Sequence, residues 1–220
     1  PTQIKIDIGH RVGLVSEAIV YGKLKSCTNV FFGGSGTSRA TVSGPLTLNL
    51  QSSVVRTLMA NHAMPITSIL SASADYGTSP VEAGYFAFCS TDLERQIRDL
   101  PNFTPCVEYS SGKPIAGEIG KCERIRYVLS PDLIPIQDAG SAVANFTGTG
   151  AGFSTTGTAL DVYPVIYLAA DAFSQISVKS LDLDVTFIPP NEKTKSDPQG
   201  QRGYGGALWY KAVMIENNGW

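Results

Sequence analysis

His10 and His62 are the only two histidines in the chain, and a Ser-His-Asp hydrolase needs one held between a nucleophile and a carboxylate. His10 stands near one end. His62 falls in the last turn of the strongest helical segment, where an imidazolium would complement the helix dipole. No serine sits in a G-x-S-x-G elbow. Gly33-Gly-Ser-Gly36 and Gly148-Thr-Gly-Ala-Gly152 have the glycine content of phosphate-cradling loops but not the G-x-x-x-x-G-K-[ST] spacing. They read as flexible loops. Asp182 and Asp184 alternate with Leu181, Leu183 and Val185, so both point to one face of a strand, which is either a divalent-cation site or a solvated face. Asp132 and Asp138 flank Leu133-Ile-Pro-Ile136 without a helical frame to converge them. Cys27, Cys89, Cys106 and Cys122 are not in CxxC spacing, so the expectation is reduced thiols in a cytosolic chain rather than zinc. No catalytic constellation, metal or cofactor is expected, and an enzyme is the weakest reading.

The remaining chemistry is that of surfaces. Arg95 and Arg98 project from one helix face, Arg124 and Arg126 from one strand face. These four are candidate intersubunit contacts, with salt bridges inside the monomer an equal alternative. Tyr204, Trp209 and Tyr210, together with the Gly/Thr-rich loops, would suit a carbohydrate-binding β module.

Composition fits a protein that faces other copies of itself and, equally, a soluble monomer. Only 16% of the 220 residues are charged against 43% hydrophobic, where an ordinary soluble domain is about a quarter charged. The formal net charge of −2 argues against gripping a nucleic acid by counterion release. No apolar run reaches the length of a membrane span. The chain opens at Pro1 and is read as the remainder of a longer polypeptide.

The elements follow from periodicity. Residues 11–25 place Val12, Val15, Ile19 and Leu24 near a helical stripe. The Gly/Ser/Thr-rich stretch from Phe31 to Pro45 reads as a loop. Thr47 caps the strongest helix, 47–63, with Leu50, Val54 and Leu58 at four-residue spacing and Pro65 just beyond. Residues 66–84 read as irregular. YFAFCST is a buried strand, and Thr91-Asp-Leu-Glu94 has capping-box spacing for a helix over 92–100. Strands are expected at Val107–Tyr109, 124–129, 162–168, 176–179 and 185–188. The 139–160 segment reads as an exposed loop with little core. Residues 207–215, apolar on both faces, read as a central strand. The class is α+β with a mostly antiparallel sheet.

Several ordered blocks are more specific than any motif. YFAFCSTDLERQIRDLPNF, KPIAGEIGKCERIRYVLSPDLIPIQDAG, VYPVIYLAADAFSQISVKS and SDPQGQRGYGGALWYKAVMIENNGW resemble the major capsid family of N4-type podophages. Upstream, AIVYGKLKS and LTLNLQSSVVRTLMANHAMPITSIL fit in the same order, so the resemblance spans residues 14–218. It implies a C-terminal part of a Hong Kong 97-like phage capsid fold: a peripheral domain with a spine helix, and a mostly antiparallel axial domain whose loops meet around the five-fold and six-fold axes. On that scheme residues 1–65 supply peripheral elements with spine helix 47–63, residues 66–200 the axial domain, and residues 201–220 a strand returning to the sheet. The lapping N-terminal arm and most of an extended hairpin are expected upstream of Pro1.

The function so implied is a virion shell assembled in the host cytoplasm. Pentamers and hexamers of one chain would enclose double-stranded DNA without reading its sequence, with scaffolding, portal and decoration proteins as partners and no membrane. An encapsulin-type shell protein is the runner-up.

Overall fold

The computed structural model describes residues 2–70, 78–109, 114–148, 152–177, 184–193, 196–201, 203–208 and 211–215. In chain order the helices are α1 (Thr2–Leu24), α2 (Leu48–Ala60) and α3 (Glu94–Arg98). The strands are β1 (Ile66–Leu70), β2 (Thr78–Ser90), β3 (Phe103–Pro105), β4 (Glu118–Cys122), β5 (Ile125–Ser130), β6 (Ile166–Leu168), β7 (Phe173–Ser177), β8 (Asp184–Ile188), β9 (Tyr204–Leu208) and β10 (Lys211–Ile215). The class is α+β, and every strand pairing is antiparallel except β2 with β5. Two compact units result, one from Pro1–Leu24 with Phe173–Ile215, the other built on Lys25–Ala172.

In the larger unit a sheet runs in the order β1-β2-β5-β4-β3, with β6 on β2. Thr47 accepts a hydrogen bond from the Leu50 amide and so caps α2, as its position before the first apolar residue predicts. Gln51, Val54 and Leu58 form the buried face of α2. The helix stops at Ala60, three residues short of the expected end. His62 takes φ +59°, its amide donates to Met59, and the Ala63 amide donates to Leu58, which is a Schellman closure. His62 is therefore an exposed capping residue beyond the helix, not a last-turn cation. Thr47→Ala should lower the unfolding free energy by about 1 kcal/mol in a denaturant titration, because the Leu50 amide loses its partner.

Residues 66–70 and 78–84 are not irregular: β1 pairs with the first half of β2. The ladder hydrogen bonds that make this pairing are cross-strand, and Ser/Thr/Gly composition carries no trace of them. The second half of β2 is the buried YFAFCS run, gripped by β5 on one side and β6 on the other. The chain then enters a 3₁₀ turn at Thr91–Leu93 and α3. Ser90, not Thr91, is the cap, its Oγ accepting from the Asp92 amide. Leu93, Ile97 and Leu100 bury against Ala87, Cys89, Cys122, Ile125 and Tyr127. Val107 begins no strand, because residues 106–108 are a 3₁₀ turn and the strand lies just before them, as β3 against β4. Residues 139–148 and 152–160 are stitched to their neighbours. The Ser141 amide donates to Val42, that of Thr147 to Ser43 and that of Gly140 to Leu160, which is buried. A side chain at Gly152 would run into Leu160 and Phe146, so glycine here serves close packing.

In the smaller unit α1 packs against β9 and β10. β7 pairs with β10, and β8 with β9. The expected central strand over 207–215 is instead two strands with residues 209–210 between them. Among the described residues, each has a single partner strand. Its two-faced apolar character arises because one face lies toward α1 while Leu208 and Met214 stay about half exposed. The helix faces inward with Ile8, Val12, Ser16, Val20 and Leu24, the less exposed row at four-residue spacing. Val15 and Ile19, expected in the buried stripe, are exposed.

Candidate functional site

The larger unit concentrates its polar chemistry where β4 and β5 meet β2. A two-residue turn, Glu123-Arg124, joins β4 to β5, with Glu123 at φ +55°. Alternation along β5 then puts Ile125 and Tyr127 into the core and Arg126 on the other face. Arg126 is nonetheless buried. Its Nη1 lies 3.5 Å from Glu118 Oε2 and its Nη2 4.0 Å from Glu82 Oε2. Glu118 has a fully buried side chain and also accepts from Tyr109 Oη at 2.7 Å and the Ile115 amide at 2.9 Å. Lys121 closes the cluster at 2.7 Å from Glu82. Burial first, then the bond to Glu118, pushes the Tyr109 phenol well above its ordinary value.

The Lys121 hydrogen bond, then the charges of Lys121 and Arg126, hold the Glu82 carboxyl below its usual range, against an opposing desolvation. A carboxyl lowered in the fold contributes stability above its unfolded pKa and loses it as pH falls through the folded one. Glu82 is 60% exposed, so solvent screens most of this. Glu82→Gln should therefore cost about 0.2–1 kcal/mol at neutral pH, and the difference should vanish in acid, followed by urea unfolding across the pH range.

On the opposite face of the sheet a buried polar relay fixes α2. Gln51 Nε2 donates to the Cys122 carbonyl at 3.0 Å, and Tyr127 Oη donates to Gln51 Oε1 at 2.6 Å. Tyr167 Oη stands 3.5 Å from Tyr127 Oη. Desolvation raises both phenols. This is a structural network: it joins helix to sheet.

The sequence candidates scatter. Arg95 is exposed, and Arg98 is held by Glu94 at 2.9 Å within one helical turn. Arg124 lies in the turn rather than on the strand, exposed, with Nη1 3.8 Å from Met59 Sδ. Arg126 is committed inside its own chain. Sequence reading missed Glu118, Tyr109 and Glu82, since β4, β1 and the first half of β2 were not seen as strands. The only available signal was Lys121-x-Glu123 and Arg124-x-Arg126 around a tight turn.

Among the described residues no three His, Cys, Asp or Glu side chains converge to hold a metal. Asp184 opens β8 opposite Leu208, while Asp182 lies outside the described residues. Asp138 accepts from Thr156, and Asp161 from Thr155 and the Asp138 amide, so these carboxylates tie a loop. All four cysteines are free thiols. Burial pushes Cys89 up to about 12 and raises Cys106 and Cys122. His10 and His62 are both exposed. Trp209 and Tyr210, on which a carbohydrate-binding reading would rest, lie outside the described residues, as do Thr149–Ala151 of the second glycine loop.

One groove of about 680 Å³ opens beside the charged cluster, lined among others by Met59, His62, Met64, Pro65, Lys121 and Arg124. It is a surface feature with apolar walls and charges of both signs, Glu82 and Glu123 as well as Lys121, Arg124 and Arg126.

The larger unit thus carries buried ion pairs and exposed apolar side chains. No protein-family model matches the chain. It is similar, at 23% identity over 146 residues, to the major capsid protein of Pseudomonas phage KPP21, the alignment covering 60% of this chain and 36% of the phage protein. The chain thus spans about a third of that relative's length. No helix among the described residues is long and apolar enough to cross a membrane.

Proposed function

We propose that the chain is part of a major capsid protein of a tailed double-stranded DNA phage, related to the N4-type family and built on the Hong Kong 97-like plan. On this reading many copies assemble in the host cytoplasm into an icosahedral shell around the genome. The observation that carries it is the likeness to a phage major capsid protein over more than half of this chain. The mixed α+β architecture, the low charge content and the exposed large apolar side chains support it. Such side chains are stabilising once covered by another copy, at roughly 25 cal/mol per Å² of apolar surface removed from water.

We draw the domains on the two compact units. The 23-residue α1 with its ribbon of strands would then be the peripheral domain and spine helix, and Lys25–Ala172 the axial domain. The capped α2, buried against the sheet, would brace the axial domain. Expression of the full-length protein, alone or with a scaffolding protein encoded beside it, should give shells visible by electron microscopy. A protein that stays monomeric in light scattering under both conditions sinks the proposal.

A further inference from the structure

We infer that the groove beside Arg124 is a socket for the 131–135 segment of a second copy, so that larger units join head to tail. The inference rests on the capsid reading and names one contact within it.

The socket has unfilled chemistry. Met59 and Met64 are 43% and 60% exposed, a high figure for two apolar side chains lining one groove. Methionine suits a surface that must accept a partner, being unbranched and polarisable. Lys121 and Arg126 on the same wall are already neutralised by Glu82 and Glu118. Arg124 is not, since among the described residues no carboxylate stands within ion-pair distance of it. Of the carboxylates that also line the groove, Glu82 is committed to Lys121 and Glu123 makes no ion pair with Arg124 among the described residues, so an apolar side chain with a carboxylate close beside it fits here.

One exposed segment of this chain has that composition. Pro131-Asp-Leu-Ile-Pro135 leaves β5 at its far end. Ile134 is 65% exposed at the tip, and Asp132 is exposed two residues away. The Ile134 amide donates to the Asp132 carbonyl, a tight local turn, and the flanking prolines fix their own φ angles. A segment held this way loses little conformational entropy on docking.

Placement completes the case. Arg124 immediately precedes β5 and Pro131 immediately follows it, so socket and knob occupy opposite ends of one strand, about 20 Å apart at strand rise. A patch at one end that fits a different patch at the other makes a heterologous contact, the kind that closes into rings. Charge complementarity chooses the partner: the unpaired guanidinium of one copy receives the Asp132 carboxylate of the next, with Ile134 between the two methionines.

The test is a charge swap in full-length protein under conditions where wild type forms shells. Arg124→Asp and Asp132→Arg should each reduce the assembled fraction about tenfold or more in analytical ultracentrifugation, and the double swap should restore most of it. A disulfide probe stands independently of those variants' folding. Met64→Cys with Ile134→Cys should give a ladder of linked oligomers on non-reducing gels, which neither single substitution gives. Singles that assemble as wild type, an unrescued double swap with wild-type melting, or no ladder overturns this contact and leaves the capsid reading standing. A wild-type protein that never assembles overturns that reading, and this contact with it.

Discussion

Glu118→Ala is expected to lower the unfolding free energy by about 3–5 kcal/mol. The cause is what remains rather than what is removed. Arg126 is buried, and its Nη1 makes no hydrogen bond besides its ion-pair contact with Glu118. Without that carboxylate the guanidinium has only Glu82, 4.0 Å away and largely in solvent, while Tyr109 Oη and the Ile115 amide also lose their acceptor. A buried charge without a counter-charge is costly, whereas removing both partners is much cheaper. The double variant Glu118→Leu/Arg126→Met should therefore be more stable than Glu118→Ala alone. Guanidinium titration of the three proteins measures this, and a double variant that is less stable than the single would refute the account.

Ile97→Ala should cost about 2–5 kcal/mol, and Ile97→Val about 0.5–1.5 kcal/mol. Ile97 is completely buried, on a short helix wedged between the turn after β2 and the sheet residues Cys122, Ile125 and Tyr127. Alanine favours the helix over isoleucine by only a few tenths of a kcal/mol, so the cavity term decides the sign. The sheet cannot collapse to fill the space, because β5 is held on both sides, by β2 and by β4. A loss below about 1 kcal/mol for the alanine variant, read from the same titration, would mean that α3 is not braced as described.

Local signals were readable wherever a few neighbouring residues decide the outcome. Thr47 before Leu48 announced a capped helix, and the aromatic run 85–89 announced a buried strand, because capping and burial depend on short-range pattern. The arginine reading shows where such signals end. Arg124 and Arg126 are two apart and look equivalent in sequence, yet a two-residue turn exposes the first and the fold buries the second against Glu118. The candidate interface was legible only as a composition: exposed methionines and a Pro-bounded Asp-x-Ile segment have no meaning until β5 sets them at opposite ends.

From its own residues the sequence determined the α+β class, the low charge, the absence of a catalytic motif, the capped helix and the central aromatic strand. Those follow from propensity, periodicity and caps, which act over one to four residues. Tertiary structure alone decided that residues 66–70 pair with 78–84, that 207–215 divides between two pairings, that α1 turns Val15 and Ile19 outward, and that Glu118 neutralises Arg126. Each of these is settled by partners remote in the chain. Strand ladders and buried ion pairs draw their free energy from groups that spacing along the sequence does not bring together.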